Sequence, residues 1–196
     1  MSTESHRAPT TTLLSSERLR IEPLRIEHTE QVMSDLQDPA IYRYLPGDPP
    51  SPQALHRRHA AWVVGHSPDG GELWLNWVAF LGDTMLPIGT AQATLPRQGP
   101  GMFAYTIFPP YWRQGYAKEM TRSVLDHLFK THKLFKTHKS TELRAEIDTR
   151  NIGSIRVVES LGLARVALTR DADFFKGTSS DEFTYAISRD DWLAQN

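Results

Sequence analysis

Phe108-Pro109-Pro110-Tyr111-Trp112-Arg113-Gln114-Gly115-Tyr116-Ala117-Lys118-Glu119 joins an apolar strand to an amphipathic helix through a short loop. Met102 to Phe108, before it, is apolar and aromatic. Ala117, Met120, Val124 and Leu128, after it, recur at steps of three and four and mark one buried helical stripe. A helix N-terminus presents free N–H groups and the positive end of its dipole, so such a joint suits phosphate. Gly115 lets the backbone approach an anion closely, Ala117 keeps the first turn small, and Arg113 offers a charge-assisted contact. A plain tight turn with Trp112 buried fits the same residues.

On the N-terminal side, residues 18–24 alternate polar and apolar as a half-buried strand does. A helix is expected over residues 27–37, with Val32, Met33 and Leu36 inward, stopped by Asp38-Pro39. Residues 45–50 have loop composition. Ser51-Pro52 is a helix start, a capping hydroxyl followed by proline, with Leu55, His59, Trp62 and Val63 on one face. Strands over 73–81, 88–95 and 102–108 follow, separated by Gly82-Asp83 and Gln98-Gly99-Pro100-Gly101. On the C-terminal side, Leu143, Ala145 and Ile147 alternate as a strand. Ile155, Val158 and Leu161 mark a short helix ended by Gly162, and two last strands are expected over 164–168 and 182–187.

The chain has 196 residues, enough for one well-cored domain. Residues 1–12, rich in Ser, Thr and Pro, are expected to be a disordered tail, and 13–196 a single domain. The formal net charge of -1 argues against nucleic acid as the main partner. With no cysteine, disulfides, thiolate metal sites and a cysteine nucleophile are excluded. No targeting segment and no apolar run that would span a bilayer is evident, so a cytoplasmic protein without a membrane partner is expected. The direct repeat Phe129-Lys-Thr-His-Lys-Leu, Phe135-Lys-Thr-His-Lys-Ser reads as a basic patch or, more simply, as a duplicated helix end whose cations suit the dipole. His132 and His138 lack a nearby carboxylate pattern, and no metal site is expected.

The loop resembles the acetyl-CoA pyrophosphate loop of the GNAT superfamily, whose pattern is Gln/Arg-x-x-Gly-x-Gly/Ala. Gly115 and Ala117 match its last two fixed positions. Trp112 stands where Gln or Arg is usual, and Arg113 where near relatives often carry a second Gly. Residues 146–163 resemble the signature Asn-x-x-Ser-x-x-x-x-Glu-x-x-Gly-Phe, with Leu163 in place of the aromatic. Arg18-Leu19-Arg20, Pro23-Leu24 and Asp191-Trp192 are similar to the ends of RimJ/RimL-type N-acetyltransferases.

This resemblance, spanning residues 13–196, implies an α/β (α+β) GNAT fold: a mixed central sheet splayed at the cofactor site, with helices on both faces. It implies an N-acetyltransferase that moves acetyl from acetyl-CoA to a primary amine by direct attack in a ternary complex. The acceptor would be a protein N-terminus or a small amine; a homodimer is compatible with it. The strand up to Ile107 and Phe108 would offer backbone groups to the cofactor, and Arg113, Gln114, Gly115, Tyr116, Ala117 and Lys118 would hold its pyrophosphate. Asn151 would hydrogen-bond the cofactor arm, or merely cap a helix. Ser154 would protonate the leaving thiolate, or merely bond a backbone carbonyl in the first turn. The position four residues on, where many members carry a Tyr acid, is Val158.

Glu146 is the candidate base, directly or through water, against the plain alternative of a solvated carboxylate. His28 and His59 belong to the helices expected over the acceptor. Trp62, Trp74 and Trp77 either line that pocket or fill the core, and Asp173 and Lys176-Gly177-Thr178 would border it. The competing reading is a non-catalytic acetyl-CoA-binding module.

Overall fold

Strand β3 (Glu72–Leu81) turns Leu75, Trp77 and Ala79 to one side of a sheet and Val78 and Phe80 to the other. Both sides are apolar, so this strand must be covered twice. The computed structural model describes residues 12–130 and 141–195. Apart from Thr12, the expected tail lies outside the described residues, as does the repeat beyond Lys130, with His132 and His138.

Before β3 run β1 (Leu14–Ser15) and β2 (Leu19–Pro23); after it come β4 (Leu86–Pro96), β5 (Gly101–Ile107), β6 (Glu142–Asp148), β7 (Ala164–Phe175) and β8 (Thr178–Ser188). The sheet order is β1-β2-β3-β4-β5-β6-β8-β7. All neighbours are antiparallel except β5 and β6. Helices α1 (His28–Leu36) and α2 (Pro52–Val63) cover Val78 and Phe80 through Val32, Leu36 and Leu55. Helices α3 (Tyr116–Lys130), α4 (Ile152–Ser160) and α5 (Arg189–Gln195) cover the other face through Met120, Val124, Leu128, Ile155, Val158 and Trp192. This is the expected mixed sheet with helices on both faces.

The ends of the elements follow local chemistry. The Ser51 hydroxyl accepts from Ala54 N at 3.3 Å and Pro52 opens α2. Gly162 closes α4 at φ +83°. Two expectations are corrected. Val63 is 45% exposed, because the apolar face of α2 is narrow and carried by Leu55 and His59. The last two strands are much longer than 164–168 and 182–187, since each finds an antiparallel partner along its length. Helix α5 is an addition, started by Ser188 Oγ, which accepts from Asp191 N at 3.0 Å, and pinned by Trp192 Nε1 donating to Asp126 at 3.0 Å.

The parallel pair positions the site. β5 and β6 are in register only at Gly101↔Leu143 and Met102↔Arg144. A side chain at Gly101 would lie 2.6 Å from Leu95 Cδ2 and 2.7 Å from Leu143 Cδ2, so glycine lets the strands meet here without displacing these buried leucines. Beyond this apex the two strands part.

Candidate active site

The gap between the parted strands opens into a cavity of about 640 Å³. One end is the loop into α3. The first bond of this helix runs from Glu119 N to the Gly115 carbonyl at 3.1 Å, so the N–H groups of Tyr116, Ala117 and Lys118 precede the intrahelical ladder. Gly115 sits at φ +84° and Arg113 at φ +61°, left-handed conformations that turn the chain sharply into the helix. Trp112 is 44% exposed rather than buried, and its indole N–H donates to the Ile107 carbonyl.

Arg18 fastens this loop from outside. Its NH1 donates to the Gln114 carbonyl at 3.0 Å, its Nε to Glu119 at 2.7 Å, and its guanidinium lies 4.3 Å from the Tyr116 ring centre. Glu119 also accepts from Ser16 Oγ at 2.7 Å and from Arg18 N at 2.8 Å. Burial raises the Glu119 pKa, but these bonds and the Arg18 charge outweigh it and hold the carboxyl below its ordinary value.

The walls are β5 on one side and β6 with α4 on the other. Asn151 Oδ1 accepts from Ser154 N at 3.2 Å and caps α4, leaving its amide N–H groups without a partner among the described residues. The Ser154 hydroxyl likewise has no hydrogen bond among the described residues. Tyr105 on β5 donates to the Ser154 carbonyl at 3.3 Å. Burial, partly countered by this bond, pushes its phenol up to about 12.

Carboxylates gather at the C-terminal end of β6. Asp148 is held by Arg150, with Nε to Oδ1 at 2.9 Å, and by Ser180 Oγ at 2.6 Å. Burial would raise its pKa, but these bonds and the Arg150 charge bring it down to about 2. Glu182, the register partner of Asp148, is half-buried; burial and the charges of Glu146, Asp173 and Asp148 push its carboxyl up. Glu146 is exposed on the same wall. Above lies a 3-10 helix over Pro39–Tyr44, whose Arg43 and Tyr44 face the cavity. Lys176, at the tip of the β7–β8 hairpin, donates to the Tyr42 and Leu45 carbonyls, so this hairpin closes over that end.

Of the residues singled out from sequence, Ile107, Arg113, Gly115, Tyr116, Ala117, Lys118, Glu146, Asn151 and Ser154 line this one cavity. Phe108 and Gln114 do not. Phe108 is fully buried under α1 and α2, with its N–H on the Ile88 carbonyl at 2.8 Å. Its carbonyl accepts from Tyr111 N at 2.9 Å, so neither of its backbone groups is left for a ligand. Gln114 folds back on the Pro110 carbonyl at 3.0 Å. His28 and His59 lie in the packing: His59 Nδ1 meets Thr29 Oγ1 at 2.9 Å, and His28 Nδ1 accepts from Arg25 N at 3.2 Å. Trp77 is core, and neither Trp62 nor Trp74 reaches the cavity. Sequence reading missed Tyr105, Asp148 and Glu182. Tyr105 carried a signal, since alternation puts it on the face of Phe103 and Ile107; the carboxylates carried none.

Among the described residues no group of three or more His, Cys, Asp or Glu could hold a metal ion, and no helix is long and apolar enough to cross a membrane.

Residues 18–164 match a family model described as an acetyltransferase (GNAT) domain. The chain is 26% identical over 193 residues to the FsC-acetyl coenzyme A-N(2)-transacetylase of Aspergillus fumigatus, covering 92% of this chain and 77% of that protein. Its fold is similar to that of the ribosomal-protein-S5-alanine acetyltransferase from Vibrio fischeri, with TM-score 0.75, 17% identity and 92% and 98% of the two chains covered. It is also similar to the spermidine N-acetyltransferase from Vibrio cholerae in complex with CoA and spermine, with TM-score 0.74, 15% identity and 91% and 99% covered.

Proposed function

The chain belongs to the GNAT acetyltransferase family and is an acyl-CoA-dependent acetyltransferase, and from that premise we propose that it is an N-acetyltransferase of RimJ/RimL type that acylates a primary amine by direct attack in a ternary complex. The single observation that carries this is the polarity of the gap between β5 and β6. The N–H groups that open α3, with Arg113 and Lys118, line it together with the carboxylates of Glu146 and Asp148 on β6 and Glu182 on β8. The first group fits an anion and the carboxylates fit a cationic amine.

The residues present fit the acyl donor. Gly115 at φ +84° and the N–H groups of Tyr116, Ala117 and Lys118 make a cradle for a pyrophosphate, and the Asn151 side-chain amide has donors left for the pantetheine arm. When bound, acetyl-CoA supplies the activated acyl carbon. The protein's part is to align the amine, take its proton and donate one to the departing sulfur. The free Ser154 hydroxyl is the donor in this reading. The sequence has no cysteine and no activated serine motif to carry the acyl group, so transfer without a covalent enzyme intermediate is expected.

The names of its relatives specify a ribosomal-protein alanine, spermidine and an N(2) position, which supports a nitrogen acceptor and leaves a protein N-terminus and a small amine both open. We also propose residues 13–196 as the catalytic unit and the cytoplasm as its place. The test is acetyl-CoA with an amine panel, reading free thiol together with the acetylated amine by mass spectrometry. Stoichiometric release of both is expected. Thiol release without acetylated amine, or acetyl-CoA binding without thiol release, would overturn the proposal.

A further inference from the structure

We propose that Glu182 is the carboxylate that accepts the proton of the incoming amine. The inference rests on the acetyl-transfer reading above and names its base. Two observations carry it: position and availability.

Glu182 lines the cavity that holds Ser154. The register Asp148↔Glu182 and Glu146↔Thr184 puts Glu182 on the sheet face of Glu146 and Asp148, opposite the face that Ala145 and Ile147 turn towards α3 and α4. An amine entering the gap between β5 and β6 from this face meets these carboxylates.

Its neighbour Asp148 is committed, ion-paired with Arg150 and bonded to Ser180. The Glu182 carboxyl makes no hydrogen bond or ion pair among the described residues. Glu146 is without such a bond as well, but it is exposed. Glu182 is half-buried and faces Glu146 and Asp148 from β6 and Asp173 from β7. Across the cavity stand Arg43 of the 3-10 helix, Tyr44, and Arg156 of α4. The balance on Glu182 is raised proton affinity, the property a base needs near neutral pH. Glu146 thereby becomes a tuning charge.

The protons balance. An acceptor entering as an ammonium gives one proton to Glu182, which frees the nitrogen lone pair. The C–N bond forms as the C–S bond breaks. A second proton leaves the nitrogen and reaches the departing sulfur through the Ser154 hydroxyl. Glu182 then returns its proton to solvent.

The test compares wild type, Glu182→Gln and Glu146→Gln. The probes are acetyl-CoA with spermidine, a short peptide with N-terminal alanine, and simple alkylamines. The readouts are single-turnover rate against pH and the carboxyl carbon resonances of the free protein against pH. Glu182→Gln is expected to slow the chemical step at neutral pH by about 10²-fold or more, since a general base is typically worth about 10²–10⁴. The lost rate should return as pH rises and the amine sheds its own proton, while acetyl-CoA affinity stays as in wild type. Glu146→Gln is expected to move both the acid limb and the Glu182 resonance to lower pH.

A Glu182→Gln enzyme within about threefold of wild type, with its acid limb in place, would overturn the assignment and leave acetyl transfer standing. If Glu182→Gln fails to fold, the Glu146→Gln titration decides alone, and an unmoved Glu182 resonance overturns it. A wild-type protein that acetylates none of the amines would instead sink the acetyl-transfer reading, and this assignment with it.

Discussion

The hydroxyl of Tyr105 on β5 donates to the carbonyl oxygen of Ser154 on α4 at 3.3 Å, so one hydrogen bond ties the two walls of the cavity where the strands have parted. It fixes the start of α4, and with it the direction of the Ser154 side chain. Tyr105→Phe removes that bond alone. A neutral hydrogen bond is worth about 0.5–1.5 kcal/mol net, and a small fall in melting temperature of that size is expected. The chemical step should fall by several-fold, and a double-mutant cycle with Ser154→Ala should show coupling. Strict additivity of the two changes would mean that the tyrosine does not orient the serine.

The proposed pyrophosphate cradle is tested at Gly115. Its φ of +84° is costly for any residue with a side chain, and a Cβ there would lie 3.3 Å from Arg18 NH2. The clash falls on the flexible end of Arg18, so the protein should still fold. The backbone would relax out of the left-handed region, turning the N–H groups of the first turn away. Gly115→Val is expected to weaken acetyl-CoA at least about tenfold, or about 1.4 kcal/mol. Calorimetry on the folded variant reads this directly; unchanged affinity removes the loop from the binding site.

That loop was legible in the sequence because it is local. A strand, a glycine joint and an apolar stripe lie within thirty or so consecutive residues, and their order fixes their geometry. The Asn151 cap and the Gly162 stop were legible for the same reason. Glu182 was not. Its meaning depends on Asp148 lying opposite it across a strand pair, and on β8 slotting between β6 and β7, which no short window reveals. The length of the β7–β8 hairpin was hidden similarly, since beyond Leu168 the exposed strand β7 runs through Thr169-Arg170-Asp171 without the apolar alternation that marks a half-buried one. For Phe108, expected to offer backbone groups, the partners of its N–H and carbonyl, Ile88 and Tyr111, could not be read from a short window either.

Acid should destabilise the protein well above the carboxylate range. His59 is 2% exposed, and burial, followed by the charges of Arg58, His56 and His28, lowers its pKa to about 4. The unfolded chain binds a proton near the ordinary 6.5, before the folded one does. Stability from neutral His59 is therefore complete above that pH, declines as pH falls towards 4, and levels off below. Linkage sets its size at about 3 kcal/mol at most. His28 and His127, also lowered by burial, add to the same limb. Urea unfolding at neutral pH and near pH 4.5 should show the loss, and His59→Gln, which keeps a hydrogen-bonding side chain but does not titrate, should lose roughly 2 kcal/mol less. Equal slopes in the two proteins would place the acid sensitivity elsewhere.

Ser154 separates chemistry from folding. It lies in the first turn of α4, three residues after its cap, and its hydroxyl is free among the described residues while its backbone N–H and carbonyl are engaged. Removing the hydroxyl costs the fold no hydrogen bond, so Ser154→Ala should melt within a degree or so of wild type. A structural role would give the reverse, a stability loss of roughly 0.5–2 kcal/mol with turnover intact. Donation to the departing sulfur is worth about 10²–10⁴-fold when the donor is well placed. Solvent can replace part of that, since this end of the cavity is open, so a fall in the chemical step of at least about tenfold is expected, with acetyl-CoA affinity unchanged. Position 158 carries valine, packed in the core, and no second side-chain acid stands on that turn. Product release can mask the loss in kcat, so the measurement is a single-turnover quench. A rate within about twofold of wild type would take Ser154 out of the mechanism and leave Tyr105 or water to protonate the thiolate.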